Sequence, residues 1–181
     1  LHKKPKDMQM LKALAYLQLS SSKGLDAIQT LQTILEVNPV DISARLDLAL
    51  LFQRNNRIDE ALANYRDALR IDPKSLAAHY NLALIFLNLK KYTEAADEFE
   101  AALKISPGNA EVLEHLGDVY AFQKLHDRAV GSYRLALEKA PERAVLFAKL
   151  GFSLASLNKN EEAVSALESA VRFNPNNADT Y

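Results

Sequence analysis

Six prolines, Pro5, Pro39, Pro73, Pro107, Pro141 and Pro175, follow one another at intervals of 34 residues. A proline inside a helix loses a backbone hydrogen bond and clashes with the preceding turn. Evenly spaced breakers therefore divide the chain into equal units, and a fixed period of this length is the mark of a repeat architecture. With the proline at position 32 of each unit, the units are 8–41, 42–75, 76–109, 110–143 and 144–177. Residues 1–7 are then expected to be the tail of a preceding repeat, and 178–181 the start of a further one. The first residue is Leu1 rather than Met, so the chain is expected to be part of a longer one.

Aligned in this frame, the columns agree in chemistry. Position 7 holds Leu14, Leu48, Leu82, Leu116 and Leu150, and position 8 holds Ala15, Ala49, Ala83, Gly117 and Gly151. Position 20 is Ala27, Ala61, Ala95, Ala129 and Ala163, and position 24 is Leu31, Tyr65, Phe99, Tyr133 and Leu167. Position 27 is Ile34, Ala68, Ala102, Ala136 and Ala170. Spacings of three, four and seven are helical, so each unit is predicted to carry two helices joined by a polar turn such as Gln53–Arg57 or Asn88–Lys91. The fold class is all-α. Small columns facing large ones are what close helix packing requires. Position 34 is Asp7, Asp41, Ser75, Asn109, Arg143 and Asn177, and all but Arg143 are good N-caps for the helix that follows. The helix after Arg143 is expected to fray at its start or to be capped through water. The second helices open with Asp26, Asp59, Glu60, Glu94, Asp127, Glu161 and Glu162, carboxylates that suit the positive end of a helix dipole.

Composition narrows the function. Against 22 Lys+Arg stand 23 Asp+Glu, a formal net charge of −1, which argues against a nucleic-acid footprint. There is no cysteine, hence no disulfide framework and no thiolate metal site. No apolar run reaches the ~18–20 residues of a membrane span, and Leu1–Lys12 is lysine-rich without the apolar core of a signal peptide. Phosphate-cradling, nucleophile-elbow and HExxH motifs are all missing, and the glycines at 24, 108, 117, 131 and 151 fall at turns or packing columns. Glu111 and His115, like Glu114 and Asp118, are four residues apart on one helix. That spacing reads as a solvated acidic face rather than a metal half-site, since no second ligand set is evident. His79, at position 4, is expected to be a packed or partly buried ring. No catalytic centre, cofactor or metal is expected.

The run Leu82-Ala83-x-x-Phe86, followed by Ala95, Phe99, Ala102 and Pro107, resembles the tetratricopeptide repeat (TPR) family over essentially the whole chain. The frequent tryptophan of that family at position 4 is replaced by Leu11, Arg45, His79, Leu113 and Phe147, and the first unit departs most, with Gln18 and Ile34. The resemblance implies a right-handed α-solenoid of helix-turn-helix pairs whose concave groove binds a peptide or partner protein. Carried over by position, the groove would present Tyr16, Leu46, Leu50, Tyr80, Asn81, Leu84, Glu111, Glu114, His115, Asp118, Phe122 and Phe152. It would not clamp a C-terminal carboxylate as chaperone co-factors of the family do, because Lys12 is followed by Tyr16 and then Asp47 where an asparagine pair belongs. The asparagine ladder of the sugar-transferase members is missing too. What remains is an apolar strip, with Leu87 added, beside an acidic patch at Glu111, Glu114 and Asp118. Such a surface suits an amphipathic helix or extended segment with Lys or Arg toward the acids. The alternative for any one of the leucines is burial between adjacent first helices. Tyr80 and Phe152 are the preferred anchors.

The resulting reading is a non-catalytic protein-interaction scaffold. A second is the recognition arm of a larger enzyme or of a secretion or polysaccharide machine. A third is a self-assembling structural repeat, because the last full unit is expected to expose some of Leu150, Leu154, Val164, Leu167 and Val171 and so to favour end-to-end self-association.

Overall fold

The computed structural model describes residues 5–21 and 23–174, and among them it shows ten α-helices and no strand. The helices are α1 Pro5–Ser20, α2 Gly24–Val37, α3 Ile42–Arg54, α4 Ile58–Ile71, α5 Leu76–Asn88, α6 Tyr92–Ile105, α7 Ala110–Phe122, α8 His126–Lys139, α9 Ala144–Ser156 and α10 Asn160–Phe173. They fall into two compact units, Leu1–Leu82 and Ala83–Tyr181, with the division inside α5. In the first unit α1 packs on α2, α2 on α3 and α3 on α4; in the second, α6 through α10 pack each on the next. The expected cap at Asn177 and the further repeat at 178–181 lie outside the described residues. Asp7 is not a cap. Pro5 and Lys6 before it are already helical.

Between one helix pair and the next, each proline takes the second position of a four-residue turn. Asp41 N–H donates to Asn38 O (3.1 Å), Ser75 N–H to Asp72 O (3.1 Å), Asn109 N–H to Ser106 O (3.2 Å) and Arg143 N–H to Ala140 O (3.3 Å). Proline pre-sets the φ that this position needs. The turn then delivers the cap. Asp41 Oδ1 accepts from Ala44 N–H, Ser75 Oγ from Ala78 N–H, and Asn109 Oδ1 from Glu111 and Val112 N–H. Arg143 makes no such bond, and α9 opens instead through a tight three-residue step, Leu146 N–H to Arg143 O at 3.0 Å. Position 4 acquires a role in two units: the Arg45 guanidinium donates to Pro39 O at 2.7 Å, and His79 Nε2 lies 3.2 Å from Pro73 O. Both side chains tie the new helix back to the proline turn.

Within the four pairs α3–α4, α5–α6, α7–α8 and α9–α10 the chain reverses through one left-handed residue. Asn56, Lys90, Lys124 and Asn158 have φ of 58°, 57°, 62° and 60°. Around them run the two bonds of a Schellman motif: Arg57 N–H to Phe52 O and Asn56 N–H to Gln53 O in α3–α4, Lys91 to Phe86 and Lys90 to Leu87 in α5–α6. The same pairs recur at Leu125/Tyr120 with Lys124/Ala121, and at Lys159/Leu154 with Asn158/Ala155. Asparagine tolerates this conformation; lysine carries a Cβ penalty there.

The core follows the columns. Ala27, Ala61, Ala95 and Ala129 are fully buried, as are Ala68, Ala102, Ala136 and Ala170. Tyr65 and Phe99 have no exposed surface, and Tyr133 is 2% exposed. The glycines in the small column are forced by their partners: a Cβ on Gly117 would stand 2.4 Å from Tyr133 Cε1, and one on Gly151 would stand 2.7 Å from Leu167 Cγ. Leu14 departs from its column, being exposed on α1 where Leu48, Leu82, Leu116 and Leu150 are buried. At the other end Val164 is exposed, but Leu150 and Leu154 are not, because the packing of α9 on α10 covers them.

Two substitutions test these contacts. Gly117→Ala should destabilise by about 2 kcal/mol in denaturant unfolding, because the buried Tyr133 ring has nowhere to move, and Tyr133→Leu in the same chain should recover part of the loss. Lys90→Gly should instead stabilise by roughly 0.5–1 kcal/mol, relief of left-handed strain exceeding the added unfolded-state entropy.

Candidate functional site

Two of the acidic residues of α7, Glu114 and Asp118, are met by cations of the same chain. Lys149 on α9 places Nζ 2.7 Å from Glu114 Oε1 and 2.7 Å from Asp118 Oδ2, and Arg143 Nη2 lies 2.9 Å from Glu114 Oε2. Tyr133 Oη donates to Asp118 Oδ1 at 2.8 Å. Burial, with Asp118 beside it, pushes the Tyr133 phenol well above the ordinary tyrosine range. Glu114 is only 5% exposed, so its charge is held by these partners rather than by water. His115 stacks on the buried Phe99 ring, centroids 5.7 Å apart and planes 12° apart, with Nδ1 3.8 Å from Asp118 Oδ2. Glu111 stands exposed in the first turn of α7. At Glu114 and Asp118 the cations expected of a partner are supplied by the chain itself, while Glu111 stays at the surface. The signal was present in the sequence as Glu114 and Lys149 in neighbouring positions of consecutive units, and as the unexplained Arg143.

Beside this cluster the second unit offers exposed aromatic surface. Phe122 is 60% exposed and Phe152 57% exposed. Both line a cleft of about 240 Å³ together with Asp118, His126, Tyr133 and Lys149. Phe122 is held in place by Tyr92, whose ring stacks on it at a centroid distance of 5.5 Å. Leu84, also in this unit, is half-buried.

In the first unit Tyr16 is 71% exposed, whereas Leu46, Leu50 and Tyr80 are half-buried. Asn81 turns its amide back onto its own helix, donating to Ala77 O at 2.9 Å. Tyr16 borders a second cleft, of about 180 Å³, whose wall includes Lys12, Leu19, Leu31, Asp41 and Asp47. Lys12 Nζ lies 2.6 Å from Asp41 Oδ2. Burial works to raise the Asp41 pKa, but the hydrogen bonds from Lys12 and the Ala44 N–H outweigh it and hold the group below its usual range. Asp47 is shifted the other way, raised by burial and by the charge of Asp41. Deeper in, Tyr65 donates to Gln53 Oε1 at 3.2 Å, and burial pushes its phenol up to about 12.

Among the described residues no three His, Asp or Glu side chains gather as a metal site, and no helix is long and apolar enough to cross a membrane. What the clefts offer is rigid aromatic surface and fixed charge at the edge of an apolar floor, which is suited to holding side chains.

Helix pairs joined by left-handed turns, capped after proline turns and packed small-on-large, define an all-α helical-repeat solenoid. A tetratricopeptide repeat model matches residues 12–75 and 46–110, and a second model of the same repeat matches 144–177. The chain belongs to the tetratricopeptide repeat family. Among curated proteins none matches the sequence. Among solved structures it is similar to MamA, with a TM-score of 0.87 at 18% identity over 97% of this chain and 96% of that one. It is also similar to residues 41 to the end of MamA from Desulfovibrio magneticus RS-1, with a TM-score of 0.85 at 16% identity over 94% and 97% of the two chains. A third is YrrB, described as a TPR protein with an unusual peptide-binding site, with a TM-score of 0.82 at 20% identity over 92% of this chain and 86% of that one.

Lys149→Met removes the cation shared by two acids, one of them buried. It should cost about 2–3 kcal/mol of stability, toward the low end for breaking a buried pair because Lys149 is 28% exposed. Adding Glu114→Gln should return part of that loss in a double-mutant cycle read by urea unfolding.

Proposed function

We propose that the chain is a non-catalytic protein-interaction scaffold that binds a peptide or partner helix on the faces of its first helices. The five units 8–41, 42–75, 76–109, 110–143 and 144–177 are the frame of this reading. The observation that carries it is the pair of exposed phenylalanines, Phe122 and Phe152, flanking one cleft in the second unit. Large aromatic side chains left in water at a cleft mark a partner surface, and such residues dominate interface energies. Phe122 loses little conformational freedom on binding because Tyr92 already holds it. An apolar side chain of the partner fits between the two rings, with the Lys149–Asp118 pair at the polar margin. The peptide-binding site in the description of YrrB is a property of that protein and supports the reading by likeness of fold. Tyr16 extends the same chemistry to the first unit.

A random peptide library displayed on phage and selected on the intact chain tests the reading. Selected peptides should share an apolar or aromatic anchor. Their affinity, followed by fluorescence anisotropy, should fall by roughly 5–30-fold in Phe122→Ser and in Phe152→Ser, equivalent to losses of about 1–2 kcal/mol. Both variants should melt with the parent, because both rings are more than half exposed. Failure to select any peptide, or binding by both variants as tight as by the parent chain, refutes it.

A further inference from the structure

In the first unit, the cleft between α1 and α3 carries an electrostatic imbalance. Lys12 and Asp41 form a closed ion pair at 2.6 Å. Asp47, on the same wall, has no ion pair and no side-chain hydrogen bond to any described residue, although it is half-buried. With one cation and two carboxylates, the cleft holds a net charge of −1. Its floor is apolar and closed, Leu31 being 1% exposed, and its rim is the exposed ring of Tyr16. A volume of about 180 Å³ lies below the roughly 300–1,000 Å³ of sites for whole small molecules, which makes it a place for one side chain.

We infer that this cleft is a subsite for a basic side chain of the bound partner, an arginine or lysine whose aliphatic stem lies along Tyr16 and Leu19 and whose cation meets Asp47. The inference rests on the scaffold reading and adds a chemical preference to it. Long basic side chains bury their stems on apolar surface while the charged end seeks a counter-ion, and a cation near the Tyr16 ring gains further attraction. Without a ligand, ionised Asp47 is a burden on the fold. Burial and Asp41 raise its pKa, so the native state favours the protonated form more than the unfolded chain does. The folded protein loses stability as pH rises through the titration of this group. The charged neighbours are Lys12 and Asp41; of these Lys12 is committed to Asp41, and Arg54 makes no ion pair with Asp47. A carboxylate that costs the folded state stability and lacks an internal partner has the character of a binding residue.

The test uses the 181-residue chain, labelled with nitrogen-15 and titrated in separate NMR experiments with Nα-acetyl-arginine methylamide, Nα-acetyl-lysine methylamide and the neutral Nα-acetyl-norleucine methylamide. The two cationic probes should produce saturable shifts at the amides of Tyr16 and Asp47, at least tenfold tighter than the norleucine probe. Asp47→Asn should weaken the cationic probes at least tenfold while melting at or above the parent at pH 7, so that loss of binding is not loss of fold. Equal binding of the neutral probe, unchanged binding by Asp47→Asn, or no saturable shift at these amides overturns the inference. The scaffold reading is judged apart from it, since the phage selection and the Phe122 and Phe152 variants report on the second unit.

Discussion

Everything in each helix pair depends on how closely the first helix can approach the second. At Gly117 the approach is set by the face of Tyr133, with no room for even a methyl group, and at Gly151 by Leu167. The invariably small residues of the Ala27, Ala61, Ala95, Ala129 and Ala163 column are the counterpart on the second helix. Each large residue at position 24 therefore needs a small one across from it, and a unit that enlarged one side without reducing the other would lose the pair. The turns serve this contact. The left-handed residue and its two bonds end the first helix abruptly enough for the second to come back at close range, and the proline turn with its cap launches the next.

This architecture was legible because its determinants are local. Proline spacing, the alanine column and the caps at Asp41, Ser75 and Asn109 each act within a few residues of where they stand, so the pattern along the chain is also the pattern in space. The left-handed conformation of Lys90 and Lys124 was hidden because lysine is not the residue that conformation selects; the fold imposes it through the flanking helices.

The site was less legible, for a physical reason. Exposure and charge balance are decided by residues one unit away. Glu114 and Asp118 look like an acidic face on their own helix, and only the approach of Lys149 and Arg143 turns them into an internal network. Arg143 also explains the missing cap: the position gives up a local hydrogen bond to the backbone and gains a charge contact with a buried carboxylate. Asp47 is the opposite case. It looked like no more than an obstacle to carboxylate binding, and in the structure it is the charge left without a counter-ion in an apolar cleft. Tyr80, the residue the pattern favoured as an anchor, is half-buried, while Phe122 and Phe152 stand out in water.

The ammonium of Lys149 also changes how the second unit comes apart. A linear array whose members touch only their neighbours can peel from one end, each helix leaving without disturbing those beyond the next. Lys149 reaches past α8 from α9 to α7, and α7 and α9 are themselves in contact. A bond that skips one member ties three helices into a single cooperative block. Fraying that begins at α10 is thereby arrested at α9, since releasing that helix would strand two carboxylates, and the cleft beside Phe122 and Phe152 lies on the protected side of that barrier.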